Sequence, residues 1–377
     1  MSLGNRIAAE LKGDRTIWMI IAVLSLFSIL AVYSASGWEA WRSRGGNTTI
    51  FLVKHMVLMA FGFVIIYLCH LLHYRQYQRF APIMILLAIP LLMFTLAFGR
   101  NINDASRWIS LAGFSFQPSE FAKIALIIYI ARELTRKQEY ITSFKDAFMP
   151  ILVPVLIVCG LIAPANLSTA AVLFATCIML MFIGRVSWKY IFLLGVLGVV
   201  VLAGLIAIGK LYPEVGLVRV DTWISRLNEY SNAEDGGYQV QQAKIAIAKG
   251  GIIGKGPGNS LIRNFLPYAQ ADFIYAIICE EYGLVGATVV LALYVLLFLR
   301  NVKLVTRSPK AFGAFLAIGL SLLLTVQALA NIAVNVNLVP ATGLTLPLIS
   351  MGGTSLLFTC VSLGIILSVS KYIESLE

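Results

Sequence analysis

Residues 250–286 read GGIIGKGPGNSLIRNFLPYAQADFIYAIICEEYGLVG. The stretch begins as a polar, glycine-rich loop and ends as an apolar helix, with Asp272 at the join. A carboxylate where a loop meets a membrane helix is costly unless something uses it. Asp also favours helix N-caps, where its oxygens accept hydrogen bonds from free amides. Position alone leaves two readings of Asp272 open: a helix cap and a functional acid.

The surrounding chain decides what kind of helix this is. Of 377 residues, 59% are hydrophobic and 12% charged, about half the charge of an ordinary soluble domain. Apolar runs near 20 residues recur along the whole length, which reads as an all-α polytopic membrane protein. Ten spans are expected, at about 16–36, 50–72, 81–99, 118–135, 147–164, 168–185, 189–209, 272–299, 311–335 and 347–370. Ten spans put both termini on one side. Lys and Arg fill alternate loops (Arg75 and Arg79; Arg132, Arg136, Lys137 and Lys145; Arg185 and Lys189; Arg300, Lys303, Arg307 and Lys310) and the N-terminus (Arg6, Lys12, Arg15). These loops are expected to be cytoplasmic, so both termini are cytoplasmic in a multi-pass inner membrane protein. The net charge of +11 is then loop bias, and nucleic acid is not an expected partner.

Two outer segments exceed a connector, 100–118 and the large loop at about 211–271 between spans seven and eight; long loops tend to be functional. In the second, VGLVRVDTWISRLNEY (215–230) is apolar at helical spacing and suits a helix on the membrane surface, and YQVQQAKIAIAKGGIIGKG (238–256) suits a re-entrant or interfacial helix. No repeat divides the chain, which is expected to form one membrane domain over 1–377. The five cysteines lie in expected spans without metal-ligand spacing and read as small core residues. His55, His70 and His73 lie near span ends and are expected to pack at the interface.

Two further stretches carry chemistry. In SFQPSEFAK (115–123), Glu120 and Lys123 share a helix face three residues apart. They are either an ion pair that neutralises itself or a charged lining of a cavity. Residues 335–355, NVNLVPATGLTLPLISMGGTS, place two prolines and three glycines at membrane depth. Broken helix geometry is tolerated there only against protein or water.

These blocks resemble the SEDS family of bacterial cell-wall polymerases. The loop matches at Gly254, Gly256, Gly258 and Ser260, and the following helix at Leu266, Pro267, Ala269, Asp272, Phe273, Ile274, Ala276, Glu280, Glu281 and Gly283. A second block matches at Arg107, Trp108, Ile109, Phe116, Gln117, Pro118, Ser119, Glu120 and Lys123, and a third at Asn335, Pro340, Gly343, Leu344, Pro347, Ile349, Ser350, Gly352, Gly353, Thr354 and Ser355. Gly237, Tyr238, Gln239 and Gln242 match a GYQ…Q block, whose amides could bind sugar or merely cap a helix.

The resemblance covers nearly the whole chain and implies a peptidoglycan glycosyltransferase. It would polymerise lipid II into glycan strands at the outer face of the membrane, releasing undecaprenyl diphosphate. Asp272 matches the family's catalytic aspartate, which would take a proton from an acceptor sugar hydroxyl. The pyrophosphate leaving group needs positive charge, for which Lys54, Arg107, Lys123, Lys244, Lys249, Lys255 and Arg263 are candidates, Lys123 and Arg107 first. Trp108, Gln239, Gln242, Glu120 and Ser260 complete the expected substrate contacts. No dedicated metal cage is visible, although a divalent cation (Mg or Mn) bridging pyrophosphate suits the chemistry. The implied partners are a class B penicillin-binding transpeptidase and divisome proteins, since the loop 256–260 favours the division branch over the elongation branch. The rival readings are a lipid II flippase and an elongation polymerase.

The chain departs from the family pattern in places. Asn166 stands where an acid is usual and Ser168 where glycine is usual; Tyr268 and Gln270 replace a glutamate and a histidine; Met351 replaces an aromatic or small residue. Asp272 thus has fewer titratable neighbours than usual.

Overall fold

The computed structural model describes residues 12–44, 47–102, 105–111, 114–211, 220–231, 237–307 and 310–374. Its long helices are α1 (Arg15–Ala35), α3 (Thr49–Leu71), α4 (Tyr74–Phe98), α5 (Pro118–Arg136), α6 (Met149–Ile162, entered through a π-turn at Phe144–Phe148), α7 (Leu167–Ile183), α8 (Trp188–Leu211), α11 (Ile274–Arg307), α12 (Ala311–Asn335) and α13 (Thr354–Glu374). Between them lie the shorter α2 (Gly37–Arg44), α9 (Val220–Ser231) and α10 (Tyr238–Gly250).

Eight of these helices are long and apolar enough to cross a membrane. The other two long helices fall short for visible reasons. α7 has 17 residues, and α5 carries Glu120, Lys123, Arg132, Glu133 and Arg136. The eight apolar helices contribute unequally to the interior. About 83% of the apolar part of α12 is buried in protein, against 11% for α8, so α12 is the axis of the bundle and α8 lies at its rim. α12 packs on α5, α7, α11 and α13, while α1 and α10 lean on α11.

Four expectations need correction. The chain is not all-α: β1 (Arg100–Ile102), β2 (Ala105–Leu111) and β3 (Phe114–Phe116) form a three-stranded antiparallel sheet. Trp108 pairs with Arg100, and Ile109 with Phe116; aromatic and β-branched residues there favour a pleated ribbon over a loop. The last helix begins at Thr354, not at residue 347. The segment before it is bent by Gly343 (φ 69°) and Gly353 (φ 55°). His55 and His70 are fully buried rather than interfacial: Nε2 of His55 meets the Ser28 hydroxyl at 2.7 Å, and Nε2 of His70 meets the Lys12 carbonyl at 2.6 Å. The short α2 has no counterpart among the expected elements. Within the large loop, residues 212–219 and 232–236 lie outside the described residues, as do Arg6 and the start of the expected surface helix; the described parts are α9, α10 and the turns leading to Asp272.

The glycine loop explains how α11 is built. Gly283 takes φ 62°, ψ −163° and interrupts the helix. A broken helix leaves backbone groups unpaired, and the loop pairs them. Lys255 and Gly256 N–H groups donate to the Glu280 and Glu281 carbonyls at 3.1 and 2.9 Å, while Leu284 and Val285 N–H groups donate to Gly251 and Ile252 carbonyls at 2.9 and 3.2 Å. Such proximity requires glycine: a Cβ on Gly283 would lie 2.3 Å from the Ile252 carbonyl oxygen, and one on Gly254 2.2 Å from that of Glu281.

Candidate active site

Asp272 lies two residues before α11, half-buried, in a turn held from three directions. From α10, Tyr238 and Gln239 side chains donate to the Phe265 and Pro267 carbonyls at 2.9 and 3.2 Å. From the bent segment before α13, Ser350 Oγ donates to the Ala271 carbonyl at 2.5 Å and Met351 N–H to that of Gln270 at 2.9 Å. From α12, the amides of Asn331 and Asn335 both donate to the Asp272 main-chain carbonyl, at 2.8 and 3.1 Å. Every one of these bonds holds backbone. Among the described residues no hydrogen bond or ion pair ends on the Asp272 carboxylate.

The electrostatics follow from that geometry. Burial pushes the Asp272 carboxyl from its ordinary 3.8 up to about 6, and Arg226 on α9 and then Arg107 on β2 pull it part of the way back. A carboxyl that titrates near neutrality suits a general base. A Cβ built on Gly343 would sit 3.5 Å from Asp272 Oδ2.

A polar stripe on α12 extends this arrangement inward. Gln327, Asn331 and Asn335 are spaced four apart and lie on one face. Gln327 Oε1 accepts from Lys123 Nζ at 3.0 Å, and its Nε2 donates to the Thr345 carbonyl at 3.0 Å. Lys123 also pairs with Glu120 at 3.0 Å, with both side chains buried. The stripe thus joins the ion pair of α5 to the turn bearing Asp272, two helical turns away.

The expected site residues separate into groups. Asp272 and Arg107 come together; Arg107 Nε donates to the Ala165 carbonyl at 2.6 Å and borders a cavity of about 20 Å³ with Gln117, Ser119 and Asn166, room for one water. Asn166 caps α7, accepting from Thr169 N–H at 3.2 Å, so the residue in place of the family acid has a structural task. Glu120 and Lys123 form a buried layer below. Trp108 is half-buried on β2, and Gln242 is half-buried on α10. Lys244 is exposed on α10, and so are Lys249 and Lys54. Ser260 lies elsewhere: its hydroxyl donates to Glu280 Oε2 at 2.5 Å, and Lys255 Nζ reaches Oε1 of the same carboxylate at 2.6 Å. Arg263 lines a cleft of about 460 Å³ with Tyr33, Trp41 and Asn264, and Asp272 is not among its lining residues. Among the described residues no three metal-ligating side chains cluster.

Sequence reasoning missed Arg226, Gln327 and Asn331. The α12 residues had a signal, three amides in register on an otherwise apolar helix. Arg226 had none, because its neighbours already explain an amphipathic surface helix.

Several known proteins resemble this chain. The cell cycle protein family of FtsW, RodA and SpoVE matches residues 14–375. A probable peptidoglycan glycosyltransferase FtsW from Geobacter sulfurreducens is 34% identical, covering 99% of both chains. Stage V sporulation protein E of Bacillus subtilis is 32% identical over 95% of this chain and 97% of its own. A chain from a solved peptidoglycan synthase complex, described as coordinating polymerization and crosslinking, superposes with a TM-score of 0.76 at 25% identity, covering 96% of this chain and 98% of that one. The rod shape determining protein RodA of Thermus thermophilus shares the fold, with a TM-score of 0.68 at 24% identity over 95% and 96% of the two chains. This chain belongs to the FtsW/RodA/SpoVE family.

Proposed function

We propose that the protein is a peptidoglycan glycosyltransferase that polymerises lipid II during cell division. The observation that carries this reading is a half-buried aspartate whose carboxylate is left without a hydrogen-bond partner among the described residues, while its backbone is fixed from α10, α12 and the segment before α13. Family membership and relatives named as glycosyltransferases support it.

In the reaction, Asp272 accepts the proton of an acceptor sugar hydroxyl. That oxygen bonds to the anomeric carbon of the donor, and the bond from that carbon to the lipid pyrophosphate breaks. The pyrophosphate leaves with the electron pair. Arg226 and Arg107, whose positive charge acts on Asp272, would supply the charge that stabilises this leaving group. Lys123 is bound by Glu120 and Gln327 and holds the floor of the site. Among the described residues no cluster of side chains would hold a metal; a divalent cation carried by the substrate pyrophosphate itself would neutralise leaving-group charge.

The chain crosses the inner membrane ten times with both termini cytoplasmic, and the Asp272 end faces outward. A class B penicillin-binding transpeptidase acts beside it to crosslink the product, with divisome proteins around both. The informative polar residues gather at one end of the bundle, which suits surface chemistry and disfavours a flippase.

The test is polymerisation of purified lipid II in liposomes with the cognate transpeptidase present, comparing wild type with Asp272→Ala, both shown to be folded. Polymer from wild type alone is the expected result. Equal polymer from both would remove Asp272 from the mechanism, and lipid flipping without polymer would assign the fold to transport.

A further inference from the structure

Asp272 lies one position outside Phe273, the residue at the N-cap of α11, and among the described residues its carboxylate accepts nothing from the amides of the first turn. An acceptor from the neighbouring helix does that work. Asn335 Oδ1 accepts from Ala276 N–H at 3.0 Å, sharing that donor with the Phe273 carbonyl at 3.1 Å. The Asn335 Nδ2 group donates to the Asp272 carbonyl at 3.1 Å and to the Asn331 carbonyl at 2.9 Å. Asn331 Nδ2 donates to the carbonyls of Asp272 at 2.8 Å and Leu344 at 2.6 Å. Both asparagines are essentially fully buried.

We propose that Asn335 and Asn331 are positioning residues that cap α11 from outside and grip the Asp272 main chain, keeping its carboxylate clear of its own helix amides and open to substrate. The alternative available to an aspartate here is ordinary. An Asp at a helix start accepts from the free N–H groups of the first turn, and a carboxylate so engaged is both turned away from an acceptor hydroxyl and weakened as a base. Supplying the cap from α12 removes that competition. It also ties Asp272 to Leu344, which follows the Gly343 that borders the carboxylate.

The inference rests on Asp272 being the base of the proposed polymerase, and its test has one arm that needs no turnover. The charges acting on Asp272 are Arg226 on α9 and Arg107 on β2. α12 and residues 336–353 contribute no ionisable group. Lys244 and Lys249 on α10 are exposed, and Glu280 and Glu281 on α11 are bound within the glycine-loop cluster. The Asp272 titration would be read as the carboxyl infrared band that Asp272→Asn abolishes, in wild type, Asn335→Ala, Asn335→Asp and Asn331→Ala.

Losing the cap in Asn335→Ala lets Asp272 collapse onto the helix amides, and its titration midpoint moves down toward the ordinary carboxylate range. Asn335→Asp keeps a capping oxygen, removes the amide donor and adds a second carboxyl, so the midpoint moves up. Asn331→Ala shifts it in the same direction as Asn335→Ala. In the polymerisation assay kcat falls at least about tenfold in Asn335→Ala while KM for lipid II changes little, as expected when a transition-state contact is lost. Midpoints unmoved in every folded variant would overturn the proposal, as would a loss carried by KM alone. A wild type that titrates as described and makes no polymer would overturn the polymerase reading instead. Should Asn335→Ala fail to fold, Asn331→Ala and Asn335→Asp decide the question.

Discussion

At the scale of single residues, the fold spends stability on Asp272. A carboxyl raised from 3.8 to about 6 binds its proton more tightly folded than unfolded. The penalty is absent below about pH 4, grows as pH rises to about 6 and is complete above it, on the order of 3 kcal/mol. Asp272→Asn removes the charge with little change in shape. The expected outcome is a variant with a higher thermal midpoint than wild type at pH 7.5, no such gain at pH 4, and polymerisation reduced by about 10²-fold or more; equal melting curves at both pH values would count against the burial argument. In wild type the rate should fall on the acid side with a midpoint near 6, because the base must be unprotonated. Gly343 gives a second residue-level test. At φ 69°, Gly343→Ala costs about 1–2 kcal/mol in backbone strain, while its Cβ would meet Asp272 Oδ2 at 3.5 Å, an ordinary contact, so thermal stability should fall and the folded protein should keep most of its kcat. Asp272 was singled out by the resemblance to the family's aspartate, since its place at a loop-to-helix join left a helix cap equally open. Its freedom from capping was not legible, since Asn335 reaches it from 63 positions away.

At the scale of elements, the glycine loop and broken α11 behave as one unit. The resemblance placed Ser260 and Lys255 of this loop among the expected substrate contacts and cations. In the structure its glycines let two backbones meet, and its Ser260 and Lys255 satisfy buried Glu280. Ser260 N–H and Ser34 Oγ likewise reach Glu281. The reason this was illegible is that closeness of two backbones leaves no side-chain pattern of its own. Gly283→Ala and Gly254→Ala each drive a Cβ into carbonyl oxygen within 2.3 Å, where neither partner can rotate away. Both should fail to yield a monodisperse protein in detergent, a cost beyond about 3 kcal/mol. Gly195→Ala and Gly204→Ala, with nothing within 4 Å of the added methyl, should express and melt like wild type. Failure of all four variants alike would point to expression rather than to the splice. The strands of the first outer segment were hidden for a different reason: three short strands carry too few residues for a period of two to stand out.

At the scale of the whole molecule, the decisive element is α5. Composition alone would keep it out of a membrane, since it carries five charged residues in 19. Packing supplies what composition lacks. Glu120 and Lys123 neutralise each other at 3.0 Å, and Gln327 accepts a further Lys123 N–H. Arg132 and Arg136 gather on Glu133 in the last two turns, at 3.2 and 3.7 Å, where charge can reach an interface. Nineteen residues span about 28 Å, close to the hydrocarbon thickness of about 30 Å. It packs against α4 and α12, and its Glu120, Lys123 and Glu133 are buried, so lipid meets little of its polar face. On the proposed topology α5 and the 17-residue α7 both cross, so ten crossings would return the chain to the side where it began and would group the Lys- and Arg-rich turns on one face. A single cysteine placed at Gln138, Lys189 or Lys303, in a background without the five native cysteines, should resist a membrane-impermeant maleimide in intact cells and react once the membrane is opened. One placed at Tyr238 or Leu261 should react in intact cells. Labelling of both Gln138 and Lys189 from outside would mean that α5 alone does not cross, and labelling of Gln138 with Lys189 still protected would mean that neither α5 nor α7 crosses; either result would place the Glu120–Lys123 pair at the surface.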